Sequence, residues 1–224
     1  MTAAEWDALR LSALVALAAT VLVMPPAILL GRRFAVREFP GKAIVETALL
    51  LPLVLPPVVT GFALLVLLGR RGPLGAALDA IGVPVVFTWR ACVAASAVMA
   101  FPLAYRACRT AFEAVDPRLP AAARTLGASR ADAFVSVTLP LARNGLVAAA
   151  VLAFARSVGE FGATIVLAGN VEGETRTLPI AVYSEIQAHG TGGTWRLAAL
   201  CVVLAAGALA ASEFLARRAR RGRP

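Results

Sequence analysis

Five stretches of this chain, near residues 11–30, 45–68, 86–105, 146–168 and 197–215, are long and apolar enough to cross a bilayer. Crossing about 30 Å of hydrocarbon takes roughly 20 mainly apolar residues in helical form. This feature removes most folds from consideration, because a bilayer core offers no water to backbone N–H and C=O groups and a spanning segment must satisfy them internally. The expected class is all-α and integral to the membrane, with about five transmembrane helices in a single domain over 1–224. Hydrophobic residues make up 59% of the chain, above the roughly 45–50% usual in soluble domains, so length alone does not argue for a soluble protein.

Charge sets the expected orientation. Lys and Arg number 22 against 13 Asp and Glu, a net charge of +9, and most of the cations fall into three segments. Arg32, Arg33, Arg37 and Lys42 follow the first stretch; Arg106, Arg109, Arg118, Arg124, Arg130 and Arg143 lie between the third and fourth; Arg217, Arg218, Arg220, Arg221 and Arg223 close the chain. With five spans all three segments share one side, which the cation bias of cytoplasmic flanks makes the inside. The N-terminus is then outside and the C-terminus inside. Topology accounts for the basic excess, so no nucleic-acid partner is expected and membrane lipid is the expected surrounding. Residues 1–10 lack the basic start and small-residue cleavage site of a secretory signal, and the first span is expected to be retained. Cys92 and Cys201 fall within spans and Cys108 at an edge, positions that suit packing better than disulfides.

The second stretch contains Pro52, Pro56 and Pro57, the first Pro25 and Pro26, and the third Pro102. Each proline removes a backbone donor and bends a helix. Ordinary kinking is one reading. The other is that LPPVVTG over 55–61 lines a pore of changing shape, with Pro56, Pro57 and the Thr60 hydroxyl as pathway candidates. Residues 69–84 suggest a turn and a short interfacial helix. The external loop is expected over about 169–194, where Leu178, Val182 and Ile186 share a helical face and predict a short amphipathic helix on the outer surface or capping the pore. His189, the one histidine, reads as a solvated loop residue because no second Cys or His is placed to complete a metal site.

In FARSVGEFGATIVLAGN of the fourth stretch, Arg156 and Glu160 are four residues apart, which places them on one face of a continuous helix. Charges are costly inside a bilayer and are expected to pair and face the bundle interior. Such a pair fixes helix packing; it also suits passage of an anion past Arg156, with Glu160 preventing its capture. Arg156, Ser157 and Glu160 are therefore pathway or gate candidates. No Gly-Lys-Ser or Gly-Lys-Thr phosphate cradle is present, nor a nucleophile elbow or zinc-binding helix. No catalytic residue, metal ligand or bound cofactor is expected.

Between the third and fourth stretches lies a basic helical insert, about 113–145. Pro120 suits an opening turn, Ala121, Ala122 and Ala123 favour helix, and Gly127 can redirect the chain. Ser129 can cap the next helix with Asp132 as its counterpart. Phe134 and Val137 give an apolar face suited to a partner's groove or to packing on the chain's own bundle. A turn of this design, Gly127, Ala128, Ser129, Arg130, Ala131, Asp132, Ala133, Phe134, exceeds what a connecting loop requires.

With Gly127, nine residues, then Val137, Leu139 and Pro140, the insert resembles the loop by which importer-type ABC permeases engage their ATPase. Together with GEFGAT, AGN and GETRTLP, the chain resembles the molybdate ABC permease family over about 45–187, with tungstate and sulfate permeases related. The resemblance implies a type I ABC importer permease fold and translocation of an oxyanion, molybdate first and tungstate, sulfate or thiosulfate as alternatives, by alternating access. It implies a second copy of the chain, two cytoplasmic ATPase subunits carrying ATP and Mg, and a periplasmic or lipid-anchored oxyanion-binding protein, with residues 127–134 as the ATPase-coupling segment. The family pattern places an acidic residue where Ala121 stands, a role that Asp116 or Glu113 would take over. An ion-coupled secondary transporter is the rival class, but internally repeated halves are not found.

Overall fold

A computed structural model describes residues 2–190 and 194–221, and for 189, 208 and 211–221 the backbone alone. The expectations for the His189 side chain and for the tail arginines Arg217, Arg218, Arg220, Arg221 and Arg223 lie outside the described residues. All described regular structure is helical. Helix α1 (Ala3–Val36) starts from a reciprocal cap: the Thr2 hydroxyl accepts from the Glu5 N–H and the Glu5 carboxylate accepts from the Thr2 N–H. It runs unbroken through Pro25 and Pro26. Helices α2 (Lys42–Val54) and α3 (Pro57–Leu68) follow, then α4 (Pro73–Ala80) and α5 (Trp89–Glu113), with Thr88 capping α5.

The insert forms α6 (Arg118–Thr125) and α7 (Arg130–Ala133), then a π-helical turn, Phe134–Thr138, leading into α8 (Leu139–Val158). Helices α9 (Gly162–Ala168), α10 (Leu178–His189) and α11 (Trp195–Arg221) complete the order. The core is a three-helix layer of α1, α5 and α8, joined through small side chains: Ala19 and Ala27 of α1, Ala100 and Ala104 of α5, and Ala149 and Ala153 of α8 are all fully buried. Between apolar helices in lipid, small residues let backbones approach and gain dispersion contact that larger side chains would prevent.

Two expected spans are broken. The second bends by 111° between α2 and α3. Two consecutive prolines lack N–H donors, and each drives its predecessor towards extended backbone; Leu55 and Pro56 have ψ of 143° and 133°. The fourth stops at Val158 and resumes at Gly162. Among the described residues, three helices are long and apolar enough to cross a membrane, Ala3–Val36, Trp89–Glu113 and Arg130–Val158, and a fourth span is present if the bent pair is one. The fifth expected span corresponds to α11, which is apolar over Trp195–Gly207.

Helix α10 differs from expectation. Leu178, Ile180 and Ala181 are buried, the Leu178 N–H donates to Ser12 Oγ at 2.7 Å, and Ile186 is exposed. The helix is therefore anchored at its first turn to the start of α1, with Ala8, Leu178 and Leu197 in one cluster, instead of resting on the surface by the 178–182–186 face. The exposed residues Trp6, Trp89 and Trp195 occupy the first turns of α1, α5 and α11, whereas Arg32, Arg33, Arg124 and Arg130 gather around a cleft at the far end of α1.

Candidate functional site

The insert is built by caps and one left-handed residue. Asp116 Oδ1 accepts from the Arg118 N–H at 2.9 Å to start α6, and Gly127 has φ +98°, a region that costs an L-residue roughly 1–2 kcal/mol. Ser129 then caps α7: its hydroxyl accepts from the Asp132 N–H at 3.1 Å while Asp132 Oδ2 accepts from the Ser129 N–H at 3.2 Å. Ser129, Arg130, Ala131 and Asp132 are exposed, Ala128 is half-buried and Ala133 is buried.

Of the two settings expected for Phe134, a partner's groove or the chain's own bundle, its contacts are with the bundle. Its ring lies under the Arg32 guanidinium, 3.7 Å from centroid to Cζ, and 6.2 Å from the Phe112 ring. A ring offered to cation and aromatic neighbours of its own bundle is committed there. Among the described residues of the insert, Leu126 beside Gly127 is the most exposed large apolar side chain at 89%, ahead of Val135 and Leu119. Glu113 is taken by Arg109 at 2.6 Å and Asp116 by its cap, so each of the acids expected to replace the missing charge at Ala121 has a partner within the bundle.

The two helix breaks meet. A Cβ on Gly162 would stand 2.7 Å from Pro57 Cβ, and one on Gly61 would stand 2.8 Å from both Cα and O of Ala163; α3 and α9 thus touch backbone to backbone just beyond their breaks. Glu160, 2% exposed, lies in the second break. One of its oxygens accepts from Arg156 Nη1 at 2.7 Å and the other from the Ala163 N–H at 2.8 Å. The expected pair is present, but not along one continuous helical face: α8 ends between its members, and the carboxylate also satisfies the start of α9.

Thr60, Ser157 and Thr164, on the elements that flank these breaks, have buried hydroxyl oxygens with no protein partner. Buried hydroxyls are costly without a hydrogen bond, and an oxyanion presents acceptors for such O–H donors. Pro56 and Pro57 shape the turn, so the structure brings Pro57 and the Thr60–Gly61 step to α9, next to the segment holding Arg156, Ser157 and Glu160. Gly61→Val should strain this seam by about 2 kcal/mol, seen as a lower unfolding temperature of the purified protein; an unchanged temperature would mean that α3 and α9 separate without cost.

One polar cluster escaped the sequence reading. Arg109 pairs with both Glu46 and Glu113, and the Tyr105 hydroxyl donates to Glu46 Oε1 at 3.4 Å. This ties α2, which buries none of its residues, to α5. Another link joins two sequence motifs: Arg176 Nε of GETRTLP donates to Asn170 Oδ1 of AGN at 2.8 Å.

Meeting helix breaks, buried hydroxyl donors and an insert projecting from the cation-rich end define a helical membrane-transport component. Solved transporters share the fold: a chain of the inward-facing MetNI methionine ABC transporter (TM-score 0.70, 19% identity, 96% of this chain and 94% of that one) and a chain of a bacterial ABC transporter that imports alginate (0.72, 17%, 100% and 82%). The chain belongs to the family of binding-protein-dependent transport system inner membrane components, whose model matches residues 24–221, and to the molybdenum transport permeases within it. It is 49% identical to molybdenum transport system permease protein ModB of Escherichia coli over 100% of this chain and 99% of that one. It is 44% identical to ModB of Haemophilus influenzae over 96% and 94%. It is thus a multi-pass inner-membrane permease subunit, of a family that works with ATPase and binding-protein partners.

Proposed function

We propose that this chain is the permease of an ATP-driven importer that moves molybdate across the cytoplasmic membrane by alternating access. The observation that carries this reading is the capped insert at the cation-rich end, with Gly127 at φ +98°, in a chain alike over its whole length to molybdenum permeases. Two copies form the pore, since four or five spans per chain are few for a complete one and closed symmetric dimers are the commonest assembly. The exposed apolar surface of α2 and α3, including Ile44, Val54 and Phe62, is available to a second copy or to lipid. Two ATPase subunits hold ATP and Mg, and a periplasmic or lipid-anchored oxyanion-binding protein delivers the substrate. The N-terminus faces outward, a reading supported by the Trp and Arg ends of the bundle.

Residues 127–134 transmit ATPase movement. Leu126 supplies the apolar docking contact, the Ser129–Asp132 cap holds the turn rigid, and Phe134 fixes the insert to Arg32 and Phe112. The pathway runs along the α3–α9 seam, past Thr60, Ser157 and the Arg156–Glu160 pair, with Pro56 and Pro57 setting its shape. Leu126→Glu should leave the permease folded, since this side chain is 89% exposed, while ATPase co-purification and ATP-dependent uptake fall severalfold; retention of both would remove Leu126 from the contact.

The direct test is uptake of labelled molybdate into proteoliposomes holding this chain, its ATPase and the binding protein, with tungstate and sulfate as competitors. Uptake blocked by tungstate and indifferent to excess sulfate supports the proposal. Uptake of sulfate would keep the mechanism and replace the substrate, an alternative favoured by 40% identity to sulfate permease 2 of Chlamydomonas reinhardtii over 77% of this chain and 47% of that one.

A further inference from the structure

At the far end of α1 a cleft of about 1120 Å³ opens between that helix, the end of α5 and the insert. Five guanidinium groups line it, those of Arg32, Arg33, Arg37, Arg124 and Arg130, against the single carboxylate Glu113, which is already paired with Arg109 at 2.6 Å. Among the described residues no carboxylate lies in ion-pair contact with any of the five; Arg32 rests on the Phe134 ring and Arg33 lies 5.5 Å from the centroid of the Phe39 ring. A surplus of like charge in one concavity is stabilised by a counter-ion, and the neighbouring surface indicates which kind.

Leu29 and Val36 are exposed and line the same cleft. Each stands four residues from an arginine on the same helix, Leu29 with Arg33 and Arg32 with Val36, and hence on the same face. Helix α1 is itself an apolar span, so its last turns meet the membrane surface. Cations stacked beside exposed aliphatic side chains at that level match a phosphate with an acyl chain attached. An acidic protein surface would account for the arginines but not for the aliphatic flank.

We propose that this cleft holds the headgroup of an anionic phospholipid, whose phosphate bridges the end of α1 to Arg124 and Arg130 of the insert. The lipid is then part of the coupling apparatus: it ties the segment expected to move with the ATPase to the first span. The inference requires only that the insert lies at the membrane surface and does not depend on which substrate crosses.

The test uses the assembled permease–ATPase complex in nanodiscs, with spin-labelled phosphatidylglycerol and phosphatidylcholine as probes of lipid immobilised on the protein. Phosphatidylglycerol should be held severalfold more tightly, and each of Arg33→Gln and Arg37→Gln should weaken it roughly fivefold. Both arginines are exposed, so these variants are expected to fold; Arg33→Lys should retain most of the preference, and Arg10→Gln at the opposite end should leave it unchanged. Equal retention of the two lipids by the wild type, or a preference indifferent to the Gln variants, overturns the proposal. Displacement of phosphatidylglycerol by millimolar inorganic phosphate would assign the cleft to a free anion. A preference seen in the permease alone and abolished when the ATPase binds would assign it to an acidic protein surface, and either result also overturns the proposal.

Discussion

Gly127→Pro should abolish ATP-dependent molybdate uptake while the permease still inserts and dimerises. Proline fixes φ near −65° and cannot adopt the +98° found here, so α6 and α7 must take a new relative direction. The damage is local: a Cβ at this position meets nothing within 4 Å, and the buried layer of α1, α5 and α8 lies elsewhere. Gly127→Ala separates backbone conformation from shape, because alanine carries the left-handed penalty of roughly 1–2 kcal/mol without proline's geometric ban. Its uptake should fall between wild type and the proline variant. Normal transport by a correctly assembled Gly127→Pro complex would falsify the assignment of this turn to coupling.

Glu160→Gln should lower stability by about 2 kcal/mol, less than the scale for stranding a fully buried charge, because the Arg156 side chain is 25% exposed and part of its charge stays solvated. Gln keeps an oxygen able to accept from the Ala163 N–H, so the start of α9 remains capped and the change isolates the charge on Arg156. Glu160→Ala removes cap and charge together and should be worse. Adding Arg156→Met to Glu160→Gln should recover much of the loss, since no unpaired cation then remains. Thermal unfolding of wild type, Glu160→Gln, Arg156→Met and the double variant closes the cycle; if the double variant is no more stable than Glu160→Gln, the loss does not come from an unpaired Arg156.

Apolar length and cation placement make the helical membrane class readable before any contact is known, and the turn of the insert is readable because Gly127, Ser129 and Asp132 act on residues no more than three positions away. Legibility ends where distant partners decide. Phe134 has the spacing of an amphipathic helix either way, and only the arrival of Arg32 and Phe112 from other helices turns it inward. Glu46 and Arg109 are 63 positions apart, so no local pattern announces their pair. Spacing couples Arg156 and Glu160 correctly, but Gly159 and Gly162, residues that suit close packing, also flank a helix break. Leu126 lies in a turn, outside any periodic pattern, and its exposure emerges only once the bundle is assembled.

The run from Arg130 to Val158 is one 29-residue helical element, through the π turn and α8. At 1.5 Å per residue it is roughly 43 Å long, with the Ser129–Asp132 cap at one tip and the Arg156–Glu160 pair at the other. A rod of that length amplifies angle into displacement: a tilt of about 5° about one tip carries the other by roughly 4 Å, more than the span of a hydrogen bond. On the coupling role proposed for residues 127–134, the insert and the broken seam are two ends of one lever, and a small rotation imposed at the membrane surface would shift the Arg156 end by more than the reach of its bond to Glu160.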